Sequence, residues 1–412
     1  MKYDIAFLSR IIPAEIDAEV RSKMIGLMED AAMAWQWHII EGIELNNGGA
    51  VSLINYLPVN SYPNTYRDPF IKKLYFSHVE GASDVNLGCC NIKFIKRFVQ
   101  WIPLYKELRK WVRCDNGCQK VLVAYTMYPE FMRAIRMIKR KYPNIVSLNI
   151  VVDMPQFTVL SNRKKTFLGT LYTRWSNAQA YDNICYVDGF IPITRQMARK
   201  LSPNKPYKVV EGICTSQFPE CDQKKDNTVK ILYAGMLHEK FGIIKLLDAF
   251  ERIPDGRFRL YLCGIGEAEA EIKKRAEVDP RIVFMGKLEQ SEVLRLITRS
   301  DIIVNPRENV GEFTKYSFPS KNMEALSSGV PFVGYKLDGI PNEYDKYINY
   351  PRGKTAEELA EVLVKVGNDS EGSYKEKAMQ AQKWIRDQKN SKAQGKKVTD
   401  LIGEIINKLG DY

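Results

Sequence analysis

"VKILYAGMLHEKFGIIKLLDAFERI", residues 229–253, sets the fold: an apolar run to Ala234, Gly235 at its end, a short polar link, then apolar residues at helical spacing. The stretch predicts one strand, one turn and one helix. The same order recurs in "FRLYLCGIGEAEAEI" at 258–272 and "RIVFMGKLEQSEVLRLITRS" at 281–300, and the runs "DIIVNP" at 301–306 and "VPFVGY" at 330–335 add two strands. "YKVVEGI" at 207–213 is read as a strand before them. Strands that alternate with helices predict a parallel sheet covered on both faces.

The first half repeats the pattern less regularly. "YDIAFLS", "AVSLINYLP", "KVLVAYT", "VSLNIVVDM" and "GFIPIT" read as strands, separated by "AEVRSKMIGLMEDAAMAW", a basic aromatic segment and "EFMRAIRMIKRKY". Two doubly wound α/β halves follow, with a hinge near "SPNKPYK" at 202–208 and an amphipathic tail helix, "SKAQGKKVTDLIGEIINKL". Ligands of such sheets bind at the carboxyl ends of strands, so a cleft between the halves is the expected site.

The chain has 412 residues, 45% hydrophobic and 27% charged, the balance of a globular protein with a sizeable core. The first residues lack the apolar centre of a signal peptide, and no run approaches the roughly 20 apolar residues of a membrane-crossing helix. Eight Cys stand without metal-ligand spacing and only three His accompany them, so a zinc site is not expected and a reduced, cytoplasmic compartment is.

The net charge of +12 is unevenly spread. Residues 1–200 hold 27 basic against 17 acidic residues, and 91–174 alone hold 17 against 4. In "NIKFIKRFVQWIPLYKELRKWVR", 91–113, aromatic and basic residues alternate around Pro103, which should kink or divide the helix. Two readings stand: a packed helix with a solvated basic face, or a helix meeting anionic lipid with its tryptophans at headgroup depth. "NRKKTFLGTLYTRW" at 162–175 repeats the mixture. No nucleic-acid-binding signature accompanies it, so nucleic acid is not an expected partner.

The strand ends of the second half carry the chemistry. Gly235 lets backbone approach a phosphate, and Lys240 stands before the helix that begins near Gly242. Gly264 and Gly266 sit at the next turn, but no suitably spaced acid follows to hold a ribose, which speaks against a dehydrogenase. Lys287 and Leu288 open the next connection. "EFTKYSFPSKNMEALSSGVP", 312–331, then predicts a helix from near Ser320 to a stop at Gly329.

Together "YAGMLHEKFGIIKLLDAFERI", "LYLCGIGE", "RIVFMGKLEQSEVLRLITRSDIIVNPR" and "EFTKYSFPSKNMEALSSGVPFVGY", about residues 229–335, resemble the nucleotide-sugar half of retaining glycosyltransferases of the GT-B fold, specifically glycosyltransferase family 4. "FPSK", a following Glu and "SGVP" look most like the branch that builds capsule, exopolysaccharide and O-antigen. The resemblance implies two Rossmann-like domains facing a cleft: an acceptor domain over 1–207, a nucleotide-sugar domain over 208–388, and a helix over 389–412 returning to the first. It implies transfer of a sugar from a nucleotide diphosphate to a lipid-linked oligosaccharide, with retention, by an enzyme peripheral on the inner face of the cell membrane. A sugar-nucleotide 2-epimerase and a non-catalytic binding protein share the scaffold and remain alternatives.

Roles carry over by position. Glu324 falls on the second glutamate of the family's E-x7-E motif and is expected to bind the donor ribose. Tyr316 stands where the first glutamate often sits. Either Glu312 or backbone amides of 314–318 would then hold the sugar, with Ser317, Pro319 and Ser320 beside it. Met236 occupies the place of a common Arg, so Lys240 and Lys321 are expected to clamp the diphosphate, with Lys315 or Arg307 in reserve; Lys321 also reads as an exposed first-turn residue. Asp153 keeps the acid of a His-Asp pair, Val152 replacing its histidine, and is expected to orient an acceptor hydroxyl; the N-terminal loop "SRIIPAE" lacks the glycine pair that many relatives place against the donor, and Arg10 is expected to contribute charge there. No Asp-x-Asp sequence is present, so the reading calls for no metal and no cofactor, the nucleotide sugar being substrate.

Overall fold

The computed structural model describes residues 2–26, 28, 30–93, 95–155, 167–214, 217–219 and 227–410. It comprises two compact units, the first of residues 1–213 with 391–412 and the second of 214–390.

The first unit is built on β1 (Tyr3–Ser9), β2 (Ser52–Asn55), β3 (Phe70–Ile71), β4 (Leu74–Phe76), β5 (Asp84–Asn86), β6 (Cys89–Cys90), β7 (Gln119–Tyr125), β8 (Val146–Val151) and β9 (Gly189–Pro192). Seven of these form one sheet in the order β4-β5-β2-β1-β7-β8-β9. All pairs are parallel except β4 with β5. Five consecutive residues of β7 and all six of β8 are buried, as strands covered on both faces require. The short strands β3 to β6 were not legible as runs, because none exceeds three residues.

The helices of this unit are α1 (Asp17–Lys23), α2 (Asp30–Asn47), α3 (Ile95–Val99), α4 (Trp101–Arg113), α5 (Pro129–Lys141), α6 (Phe167–Asp182) and α7 (Arg195–Leu201). Where one helical pattern is expected across 18–35, the chain breaks after Lys23 and Met24 bridges to Tyr66 instead. The helical pattern over 91–113 does divide ahead of Pro103: α3 ends at Val99, whose carbonyl the missing N–H of Pro103 cannot bond, and Pro103 itself sits in the first turn of α4.

Two further expectations are corrected here. "YKVVEGI" forms no strand; Lys208 and Val210 donate backbone N–H groups to Phe190 and Pro192, so the segment runs along β9, and Val210 is buried in the first core. The first unit therefore extends through Ile213 rather than ending at 207. The tryptophans of the basic segment also turn inward. Trp111 donates Nε1–H to Asp4 at 2.8 Å, and Trp101 lies under the Arg133 guanidinium at 4.1 Å. Lys96 is buried, its Nζ donating to the Val59 carbonyl and Asn91 Oδ1. Phe94 and the stretch 162–166 lie outside the described residues.

The second unit holds β10 (Val229–Ala234), β11 (Phe258–Cys263), β12 (Ile282–Gly286), β13 (Ile302–Asn305) and β14 (Phe332–Gly334), in the order β12-β11-β10-β13-β14, all parallel. Its helices are α8 (Ile243–Glu251), α9 (Glu269–Val278), α10 (Gln290–Thr298), α11 (Ser320–Ser327), α12 (Ala356–Gly367) and α13 (Ser373–Gln388). The last helix, α14 (Ser391–Gly410), belongs to the first unit, with Val398, Leu401 and Ile402 buried alongside Ile39, Ile40 and Ile43 of α2. In the second sheet the strand order reverses beside β10, whose neighbours are β11 and β13. Such a reversal separates the loops leaving two adjacent strands and opens a crevice at their carboxyl ends.

Candidate active site

That crevice is a cavity of about 290 Å³ lined from three directions. The turn after β10 gives Gly235 and Met236, the end of β13 gives Asn305 and Arg307, and the start of α11 gives Pro319, Ser320, Lys321 and Glu324. Tyr233, Phe241 and Phe318 supply apolar wall.

Local chemistry holds each part in place. Tyr233 donates its hydroxyl to the Met236 carbonyl at 2.8 Å, pinning the turn. Burial pushes the pKa of that phenol up, against the pull of Arg307, so the group stays a neutral donor. Gly242 takes φ +83°, and a Cβ there would stand 2.3 Å from the Pro306 carbonyl oxygen; this close approach brings the start of α8 against the loop after β13. Phe241 and Arg307 consequently meet, with the guanidinium 5.4 Å from the ring centre. Arg307 Nη2 also donates to Ser317 Oγ at 2.8 Å, and burial pulls the Arg307 pKa down.

Glu324 lies on the first turns of α11, its side chain 11% exposed. Its Oε1 accepts from Gln290 Nε2 at 2.8 Å and its Oε2 from Lys321 Nζ at 2.6 Å. A carboxylate offers about four acceptor positions, so room for ribose hydroxyls remains. Asn305 Nδ2 donates to Asn322 Oδ1 at 2.6 Å, tying the end of β13 to α11.

The cavity thus brings together Gly235, Arg307, Pro319, Ser320, Lys321 and Glu324 from the expected set. The other expected residues stand outside its lining. Lys240 is exposed, its Nζ 5.2 Å from the ring of its neighbour Phe241. Gly264 and Gly266 have a packing reason: a Cβ would stand 1.8 Å from the Gly235 carbonyl oxygen in the first case and 2.2 Å from that of Leu237 in the second. They let the two turns cross, which itself shapes the Gly235 wall. Lys287 is exposed after β12, and Leu288 packs into the apolar cluster beneath. Glu312 and Tyr316 share a short 3-10 turn, the phenol donating to Glu312 Oε1 at 3.2 Å, and Ser317 meets Arg307. Asp153 is exposed just beyond β8 in the first unit. Arg10, also in the first unit, pairs with Glu130 and stacks on Tyr128 at 4.0 Å, so its charge is already balanced.

Sequence reasoning missed Gln290, Asn305, Phe241 and Phe318. Each flanks a strand or helix end that was identified, yet only the crossing of elements distant in sequence gives it a role.

Residues 228–369, about a third of the chain, match the family model for glycosyl transferases group 1. No curated protein matches the chain. Sucrose-phosphate synthase from Thermosynechococcus elongatus is similar in structure, with a TM-score of 0.60 at 15% identity over 98% of this chain and 100% of that one. The N-terminal domain of trehalose-6-phosphate phosphatase from Candida albicans gives 0.60 at 8% identity, over 98% and 97%. WaaG, a glycosyltransferase involved in lipopolysaccharide biosynthesis, gives 0.55 at 12% identity, over 97% and 99%. At such identities the likenesses establish the GT-B fold alone.

Proposed function

We propose that this chain, whose residues 228–369 match the group 1 glycosyl transferase model, moves a sugar from a nucleotide diphosphate to a hydroxyl of a lipid-linked oligosaccharide, with retention, in surface-polysaccharide synthesis. The observation that carries the reading is the crevice beside β10, where Glu324 and Lys321 stand on the first turns of α11 against the Gly235 turn. Glu324 accepts the ribose hydroxyls. The diphosphate lies at the helix start, where backbone N–H groups and Lys321 favour negative charge. Lys240 adds charge at the rim.

Transfer then depends on stabilising the departing diphosphate as the glycosidic bond lengthens, which fixed donors do without reorganisation. Asp153 orients the acceptor hydroxyl, and Glu312 or the backbone of 314–318 holds the donor sugar. The charge is met by side chains and amides, so the reading requires no divalent ion. Among the described residues no helix is long and apolar enough to cross a membrane, and we assign contact with the inner membrane face to the basic aromatic segment of the first unit. WaaG, a glycosyltransferase involved in lipopolysaccharide biosynthesis, is similar in fold.

Incubation with radiolabelled nucleotide sugars and membrane extract tests the reading. Label entering the lipid fraction is the expected result. Free epimerised nucleotide sugar, or donor binding without turnover, overturns it.

A further inference from the structure

The charge excess of 91–174, 17 basic against 4 acidic residues, belongs to the first unit, and the donor crevice in the second unit does not use it. Part of it gathers around a second cavity, of about 450 Å³, at the amino ends of β7 and β8. Val112 near the end of α4, Gln119 and Lys120 at the start of β7, and Lys141 and Tyr142 at the end of α5 line it. Two polar contacts hold these elements together. Lys120 Nζ donates to the Trp111 carbonyl at 3.1 Å and pairs with Asp4, and Gln119 Nε2 donates to the Asn144 carbonyl at 2.8 Å.

Lys120 is therefore balanced, but its neighbours are not. Arg109 and Arg113 flank Val112 on one face of α4, at i, i+3, i+4 spacing. Among the described residues neither they nor Lys141 form an ion pair, because the surrounding acids are taken: Asp4 by Lys120, Glu107 by Lys73 and Lys110, and Asp188 by Lys139. Asp115 Oδ1 accepts from the Gly117 N–H of its own loop at 3.0 Å. Tyr142 marks where the three cations converge: Arg113 hydrogen-bonds its phenol, the charges of Lys141, Arg113 and Arg109 act on it, and its pKa is held below the ordinary value. Arg109 Nε is buried without a hydrogen-bond partner. Like charges around one phenol repel, and an anion bound among them removes that repulsion.

We infer that this cavity is a phosphomonoester site separate from the donor crevice, with Arg113, Lys141 and the Tyr142 hydroxyl as its ligands and Arg109 adding charge behind them. A guanidinium has five N–H donors in a planar fork, so Arg113 can bond Tyr142 and still meet phosphate oxygens, and the phenol keeps its O–H to donate. A phosphomonoester carries about −1.5 to −2 charge at neutral pH, which matches a site with three cations. The group comes either from a soluble phosphorylated molecule or from the headgroup of a phosphatidic acid. The inference does not rest on the donor-pocket reading.

Titration calorimetry of the full chain with glycerol 3-phosphate tests it, beside flotation on phosphatidylcholine vesicles with and without phosphatidic acid. Arg113→Gln with Lys141→Gln, both exposed, is expected to lower glycerol 3-phosphate affinity about tenfold or more, the scale of one charged hydrogen bond. Tyr142→Phe, which removes only a hydroxyl, is expected to lower it about threefold. Thermal unfolding near that of wild type excludes a folding defect. A loss by calorimetry alone identifies a soluble ligand, and a loss by calorimetry together with lost flotation on the phosphatidic-acid vesicles identifies a headgroup. If wild type does not bind glycerol 3-phosphate, or the double variant binds it as tightly, the inference is overturned whatever the vesicles do.

Discussion

Glu324 and His78 show how differently two buried-edge ionisable residues are used. Glu324 is held by Gln290 and Lys321, and the Lys321 pair is a partly exposed i,i+3 contact worth about 0–1 kcal/mol. Its replacement should therefore register in binding rather than in stability. Glu324→Gln is expected to weaken nucleotide binding about tenfold, the scale of one charged hydrogen bond, with the melting temperature within about 2 °C. Unchanged affinity by titration calorimetry removes Glu324 from the ribose. His78, by contrast, sits in the first unit between Asp84 at 2.6 Å and Glu44 at 3.0 Å. Burial opposes its charge, but hydrogen bonds to the two carboxylates outweigh it and lift the pKa to about 9. A histidine whose folded pKa exceeds the unfolded value of about 6.5 stabilises the fold fully below that value and loses the contribution as pH rises through 9. Wild type should accordingly lose thermal stability between pH 6.5 and 9, and His78→Gln should show a flatter profile. Parallel profiles for the two proteins would remove His78 as the cause. The sequence identified Glu324 by motif, yet neither residue's partner set was legible: Gln290 lies 34 residues before Glu324, and Glu44 as far before His78.

Among the elements, α11 formed as its sequence indicates, with Pro319 before its first turn and Gly329 beyond its last. The basic segment 91–113 formed helices too, and it carries apolar residues on two faces. Leu104 and Leu108 enter the core and Trp111 follows them to Asp4, which leaves Ile95, Phe98 and Ile102 on the outside. Phe98, 56% exposed, meets Trp175 of α6 at 5.6 Å between ring centres. The exposed Lys93, Lys106 and Arg174 lie on these same three helices or their approach. A mixed apolar and basic surface of this kind suits an anionic bilayer. We expect the protein to float with anionic vesicles and less with neutral ones at low salt, and Phe98→Ser with Trp175→Ser to lower the bound fraction about tenfold, the scale of one buried aromatic. Equal flotation on neutral vesicles, or no loss in the double variant, overturns the lipid contact.

At the scale of the molecule, the tail helix α14 completes the unit that β1 begins. Val398, Leu401 and Ile402 are fully buried there, and loss of each large core side chain costs about 2–5 kcal/mol. That sum is comparable with the whole stability of a domain, about 5–15 kcal/mol. A chain ending at Asn390 should lose the cooperative unfolding of the first unit and keep a second, nucleotide-shifted transition from 214–390, as calorimetry with and without nucleotide would register. Survival of both transitions would show the tail to be dispensable. By itself the sequence determined the alternation of strands and helices, the parallel sheets, and the helix that carries Lys321 and Glu324, because apolar periodicity and turn residues act over a few neighbours. Only the tertiary structure decided that Gly264 and Gly266 serve the crossing of two turns, that Lys240 stays at the surface, that the tryptophans of 91–113 point inward, and that Arg307 enters the crevice. Those outcomes depend on which strand lies beside which, and the β10–β13 neighbourhood joins residues some seventy positions apart.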